Sequence, residues 1–176
     1  FTWRGRTWIV SADSLKHPAI AHKLRTLHLK HRGGPGRLTV ATDGMDASTL
    51  EAPGHAQGYS LLVTPDGVAI RGHDLSGLFW GLITLEQLAE QGEEIPAMRI
   101  DDWPMVPVRY HHDDISRKQV STVADFKRII RLLSRFKIGH YTPYIEDMLH
   151  LASFPDIGEG RGKLMPDEVA AIGEEG

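Results

Sequence analysis

DWPMVPVRYHHDDISR, Asp102 to Arg117, is the stretch whose reading decides the fold, because two kinds of sequence meet inside it. Trp103, Pro104 and Pro107 make a stiff connector, since each proline fixes its own φ and biases its predecessor towards extended backbone. Arg109 to Ile115 then reads as a strand that ends at Ser116 and Arg117. A domain junction is therefore expected here, with residues 1–101 on one side and 102–176 on the other.

Upstream of the junction the elements alternate. Thr7 to Ser11 suits a short strand, and His17-Pro18 opens a helix with proline in the first turn, where its missing N–H is harmless. Ile20, Leu24 and Leu27 give that helix one apolar stripe, and Gly33-Gly34-Pro35-Gly36 stops it. The glycine run follows a helix instead of joining a strand to a helix start, which argues against a phosphate-binding loop. Leu38 to Ala41 is a second strand. Gly58 to Gly72 reads as a β-hairpin turning at Pro65-Asp66-Gly67. Asp74 can cap the next helix, whose Leu75, Leu78, Phe79, Leu82, Leu85 and Leu88 recur at helical spacing. Gly77 and Gly81, four apart, allow close approach to a sheet. These elements predict a small α+β domain in which helices cover one face of a mostly antiparallel sheet. Phe79 and Trp80 are expected in its core or at the core's edge.

The composition narrows the function classes. The 176 residues carry a net charge of −3 and no cysteine, which excludes disulfides, thiolate metal sites and a cysteine nucleophile. Residues 1–37 hold eight Lys/Arg against one acid, and residues 38–104 hold two against eleven. The basic residues are dispersed without interleaved aromatics, so nucleic-acid binding is not expected. His17, His22, His28 and His31 do not share a helical face and read as solvated surface. No apolar run approaches the ~18 residues of a membrane-spanning helix, and the first residues, FTWRGRTW, do not resemble a signal peptide, so no membrane partner is expected and the compartment stays open. The chain starts without methionine, which is read as a processed or cut form.

Past Trp103 the order becomes strand, helix, strand, helix. Thr122 and Asp125 can make a capping-box-like pair opening a helix whose buried face would be Val123, Phe126, Ile129, Ile130, Leu133 and Phe136, ending at Gly139. Tyr141 to Ile145 is the next strand, closed by Glu146-Asp147, and Pro166-Asp167-Glu168 begins another helix. Repeated β-α units predict parallel strands, whose carboxyl ends gather functional groups. Those ends carry Arg117 and the pair Glu146 and Asp147. An arginine held by a carboxylate presents a fixed fork of donors suited to a substrate's hydroxyls or carboxylate, although a structural ion pair would look the same in sequence. His111-His112-Asp113-Asp114 has metal-ligand chemistry, but strand alternation lets only His111 with Asp113, or His112 with Asp114, converge. Either pair lacks a third ligand, so no metal is expected.

The order of motifs resembles glycoside hydrolase family 20, the β-N-acetylhexosaminidases. The matching pieces are GYSLLVTPDGVAIRGHDLSGLFWGLITLEQL, IPAMRIDDWPMVPVR, DDISR, FKRIIRLLSRFKIGH and the carboxylates of YIED. The resemblance implies a non-catalytic α+β accessory domain at 1–101, then at 102–176 the first β-α units of a (β/α)₈ TIM barrel, truncated. It implies that Arg117 binds hydroxyls of a non-reducing N-acetylglucosamine or N-acetylgalactosamine, that Asp147, or Glu146 one residue away, orients that sugar and arginine, and that Asp114 gives structural support. The chain departs from the family in Lys118-Gln119-Val120 and in Tyr141-Thr142-Pro143-Tyr144, where aromatic or histidine residues and a His-x-His-like strand are usual. The family's retaining, substrate-assisted hydrolysis uses an aspartate followed by a glutamate after the fourth strand, which would lie beyond this chain. The expectation is thus an inactive amino-terminal fragment acting on glycans that contain N-acetylhexosamine, with no cofactor. Alternatives are another glycosidase with a similar front domain, such as an α-glucuronidase or family 84 hexosaminidase, and a non-catalytic carbohydrate-binding or interaction module. Truncation would expose an apolar patch or a strand edge, predicting self-association or a poorly ordered tail beyond Met148.

Overall fold

A computed structural model describes residues 16–30, 37–42, 50–92, 94–117 and 121–175. The strand expected at Thr7 to Ser11 and the glycine run at 33–36 lie outside these residues. The chain forms two compact units, Phe1–Pro107 and Val108–Gly176.

In the first unit, helix α1 (Pro18–Lys30) precedes strand β1 (Arg37–Thr42), the hairpin β2 (Tyr59–Thr64) and β3 (Gly67–Gly72), helix α2 (Leu75–Gln91) and strand β4 (Met98–Asp102). The sheet order is β1-β3-β2-β4. β2 runs antiparallel to both β3 and β4, while β1 and β3 are parallel, so the sheet is mostly antiparallel, as expected. Asp102, placed past the junction by the sequence reading, is the last residue of β4 and accepts a hydrogen bond from Tyr59 Oη at 2.9 Å.

The core is built from alternate strand residues and the helix stripes. Tyr59, Leu61 and Val63 of β2 with Val68 and Ile70 of β3 meet Leu78, Leu82, Ile83 and Leu85 of α2, and Ile20, Leu24 and Leu27 of α1 join the same cluster. Burying each such side chain contributes on the order of 2 kcal/mol, so this cluster dominates the unit's stability. Glu86, 3% exposed, is paired there with Lys23 of α1, which offsets the cost of burying its charge. Asp74 caps α2, accepting from Gly77 N at 2.7 Å, as the sequence suggests. Leu75 departs from the expected stripe and is 42% exposed, because α2 first closes on its surroundings two residues later, at Gly77. There a Cβ would lie 2.1 Å from the Gly58 carbonyl oxygen, and one at Gly81 would lie 2.5 Å from Ile70 Cγ2. These contacts give the two glycines their reason, and Trp80, 7% exposed, lies in the core beside the half-buried Phe79.

The second unit comprises β5 (Tyr110–Asp114), α3 (Val123–Arg135), β6 (His140–Tyr144) and α4 (Pro166–Gly173), with β5 and β6 parallel. Ile115, Phe126, Met148 and Leu164 form its small core. Thr122 and Asp125 complete the capping box of α3. The rest of the expected buried face is only partly covered: of α3, Phe126 alone is buried, and Phe136 is 68% exposed. α3 also ends before Gly139. Lys137 takes the left-handed conformation (φ 56°), and Lys137 and Ile138 donate to the carbonyls of Ser134 and Leu133, a Schellman arrangement that leaves Gly139 no capping role.

Gly77→Ala gains about 1 kcal/mol of helix propensity but drives a Cβ into the Gly58 carbonyl, so it should destabilise the chain by about 2 kcal/mol net. Gly54, where an added methyl would meet nothing within 4 Å, serves as control, and Gly54→Ala should stay within about 0.5 kcal/mol. Urea unfolding of both variants checks this, and a Gly77→Ala chain as stable as the parent would contradict it.

Candidate functional site at the ends of two parallel strands

The register of β5 and β6, from Tyr110↔His140 to Asp114↔Tyr144, brings both strands to their carboxyl ends at the same level. Ile115 N still donates to Tyr144 O at 3.2 Å, so the residues that follow leave the ladder side by side. At the opposite end, Arg109 Nε donates to Lys137 O at 2.7 Å and His140 N to Arg109 O at 3.2 Å, tying β5 to the turn that enters β6.

Level ends alone would set Arg117 opposite Asp147. Glu146, however, adopts a left-handed backbone (φ 46°), uncommon for a non-glycine residue, within a turn closed by Met148 N to Ile145 O at 2.9 Å. The turn exchanges the directions of the two carboxylates. Arg117 Nη2 donates to Glu146 Oε1 at 3.0 Å and Nη1 to Oε2 at 3.4 Å, a two-pronged contact. Asp147 instead meets Arg161, whose Nη1 lies 2.7 Å from Oδ2. The partner expected for Arg117 was Asp147 with Glu146 as the neighbouring alternative, and the left-handed residue is the physical reason that Glu146 takes the place.

Two further groups hold the bridge. Tyr144 Oη donates to Glu146 Oε1 at 3.0 Å, and the carboxylate raises the phenol's pKa. Asp114 Oδ1 accepts from Ser116 Oγ at 2.6 Å and Ser116 N at 2.9 Å, and its Oδ2 lies 3.7 Å from Arg117 Nε. The Ser116 hydroxyl first, then its backbone N–H, hold the Asp114 carboxyl below the usual aspartate range. Asp114 thus fixes the turn that delivers Arg117.

The four residues His111 to Asp114 divide between two faces, as strand alternation requires. His111 stacks against Tyr141 with ring centroids 6.2 Å apart, and Asp113 accepts from Tyr141 Oη at 2.8 Å. Burial, then Asp113, push the Tyr141 phenol up. His112 lies near Tyr144 instead, at 6.0 Å, on the side of Asp114. Among the described residues no group of three or more His, Asp or Glu is arranged to hold a metal ion.

Sequence reasoning missed Tyr144 and Arg161. Tyr144 carried no usable signal, because Glu146 lies past the end of β6 in a left-handed conformation, where strand alternation does not apply. Arg161 sits between Gly160 and Gly162, fourteen residues after Asp147, where no spacing rule connects them.

A family model described as glycosyl hydrolase family 20, domain 2, matches residues 1–103. No curated protein sequence matches significantly. Several solved structures share the fold. A GH20 exo-β-N-acetylglucosaminidase from Vibrio harveyi, in complex with N-acetylglucosamine, is 20% identical with a TM-score of 0.73, covering 100% of this chain and 32% of its own. A β-N-acetylhexosaminidase from Bacteroides fragilis is 18% identical (TM-score 0.72; 99% and 39% covered). A mutant Streptomyces plicatus β-hexosaminidase in complex with the product GlcNAc is 21% identical (TM-score 0.72; 99% and 41% covered). The chain therefore spans about a third of the length of the Vibrio enzyme. The family model covers more than half of the 176 residues, and on that ground the chain belongs to glycosyl hydrolase family 20.

Proposed function

We propose that this chain is the amino-terminal part of a glycoside hydrolase that removes terminal N-acetylhexosamine, and that Arg117, held by Glu146, grips the sugar's hydroxyls. The observation that carries this is the two-pronged bridge at the ends of adjacent parallel strands. Its exposure argues for a use beyond stability. Arg117 is 69% and Glu146 30% exposed, and an ion pair this open to water contributes only about 0–1 kcal/mol to folding. A left-handed glutamate costs a comparable amount. The arrangement is hence close to neutral for stability, while it fixes guanidinium donors where a polar ligand can reach them.

In this reading the Val108–Gly176 unit is the start of a (β/α)₈ barrel. Arg117 donates to the hydroxyls of the non-reducing sugar, Glu146 accepts from them and aligns the fork, and Asp114 and Asp147 stabilise the two strand ends. The motif order of family 20 supports the sugar-binding role, and this chain's own residues make the contacts. Hydrolysis would proceed with retention: an acid protonates the leaving oxygen as the substrate's acetamido carbonyl attacks the anomeric carbon and the glycosidic C–O bond breaks, and water, deprotonated by the same group, then opens the resulting oxazolinium ring. The carboxylate pair for those steps follows the fourth strand and would be supplied by sequence beyond Gly176. The chain by itself then has one wall of a pocket and no turnover.

Two outcomes test the proposal. The purified 176-residue chain should leave a chromogenic N-acetylglucosaminide intact, and clear turnover would sink the fragment reading. In the full-length protein, Arg117→Ala should lower kcat/KM by about 100-fold, the scale for removing a charged hydrogen-bond donor to substrate, with the thermal midpoint unchanged. An unaltered kcat/KM would remove Arg117 from the site.

A further inference from the structure

The site contains a second arginine. Arg161 spans the gap between the two strand ends: Nη1 donates to Asp147 Oδ2 at 2.7 Å and Nη2 to the Ser116 carbonyl at 2.5 Å. Ser116 immediately precedes Arg117, and Asp147 immediately follows Glu146. The guanidinium thus forms a cross-tie parallel to the Arg117–Glu146 bridge, one residue behind it on one strand and one residue beyond it on the other.

Three observations give that tie a purpose. Asp147 Oδ1 is buried and has no hydrogen-bond partner among the described residues, where Arg161 is the charged group that holds this carboxylate through Oδ2. The loop carrying Arg161 is folded back onto the same turn, since Gly158 at φ 71° approaches so closely that a Cβ would lie 2.0 Å from the Asp147 carbonyl oxygen. Leu149 and Leu164 also form a bridge, with Leu164 N donating to Met148 O at 2.8 Å and His150 N to Leu164 O at 2.9 Å. Glu146, finally, holds a conformation that persists only where its surroundings over-determine it.

We infer that Arg161 is a positioning residue for the sugar site: by clamping Ser116 to Asp147 it holds Glu146 left-handed and so aims Arg117. This deepens the proposed function and rests on it for the sugar, but the clamp itself is observable without one.

Lys163 provides the control. Its Nζ donates to the carbonyls of Pro155 and Ile157, the latter at 3.0 Å, so it ties the same loop internally without touching either strand end. On the 176-residue chain, the Arg117 Nε–Hε NMR signal should move towards that of exposed arginines in Arg161→Gln and stay in place in Lys163→Ala. In the full-length protein, Arg161→Gln should raise KM for a chromogenic N-acetylglucosaminide by roughly tenfold with kcat within about twofold, the pattern for loss of ground-state binding. Arg161→Lys, which keeps the charge and loses the fork, should fall between. Equal effects of Arg161→Gln and Lys163→Ala would reduce Arg161 to loop folding and overturn the inference, as would an unmoved Arg117 signal. If the parental full-length protein shows no turnover while the Arg117 signal still responds to Arg161→Gln alone, the sugar reading fails and the clamp stands.

Discussion

The parallel register of β5 and β6 is the constraint on which the candidate site depends. A strand advances about 3.3 Å per residue, so a slip of one residue would carry Arg117 past Glu146 and break a bridge whose longer prong is already 3.4 Å. Register is set here from both directions. At the entry of β6, the Schellman end of α3 and the Arg109 contact to Lys137 fix where the strand begins. On the α3 side, Tyr141 meets Phe126 at 6.0 Å and Asp113 through its hydroxyl. A one-residue slip would turn Tyr141 away from both.

Given that register, backbone conformation chooses the chemistry. A right-handed or extended residue at 146 would send the carboxylates elsewhere, and the left-handed turn makes Glu146 the partner of Arg117 and Asp147 the partner of Arg161. Two carboxylates in adjacent positions thus serve two arginines. Tyr144 donates to the same Glu146 oxygen as Arg117, which leaves that oxygen well satisfied and its orientation restricted.

What was legible in the sequence follows from which signals are local. The hairpin at 59–72, the Asp74 cap, the Thr122–Asp125 box and the close-packed Gly77 and Gly81 each depend on residues a few positions apart, or on a steric need that only glycine meets. At the site, strand alternation was enough to divide His111 and Asp113 from His112 and Asp114, and the expectation of adjacent parallel strands was enough to bring Arg117 near residues 146 and 147. Choosing between the two carboxylates required the φ of Glu146, and neither glutamate nor its neighbours carry a composition signal for a left-handed turn. Lys137 illustrates the same limit, because Gly139 was the obvious stop and the chain turned two residues earlier. Arg161 was beyond reach because its partners are fixed by a fourteen-residue loop, whose closure is a tertiary property.

In the proposed function, Arg117 acts on a sugar only as Glu146 holds it. A double-mutant cycle of Arg117→Ala and Glu146→Gln in the full-length protein, read as affinity for N-acetylglucosamine, measures that dependence most directly. Glu146→Gln should weaken binding in the parent and change it little once Arg117 is gone, giving a coupling of about 1 kcal/mol or more, whereas effects that add to within about 0.3 kcal/mol would contradict it.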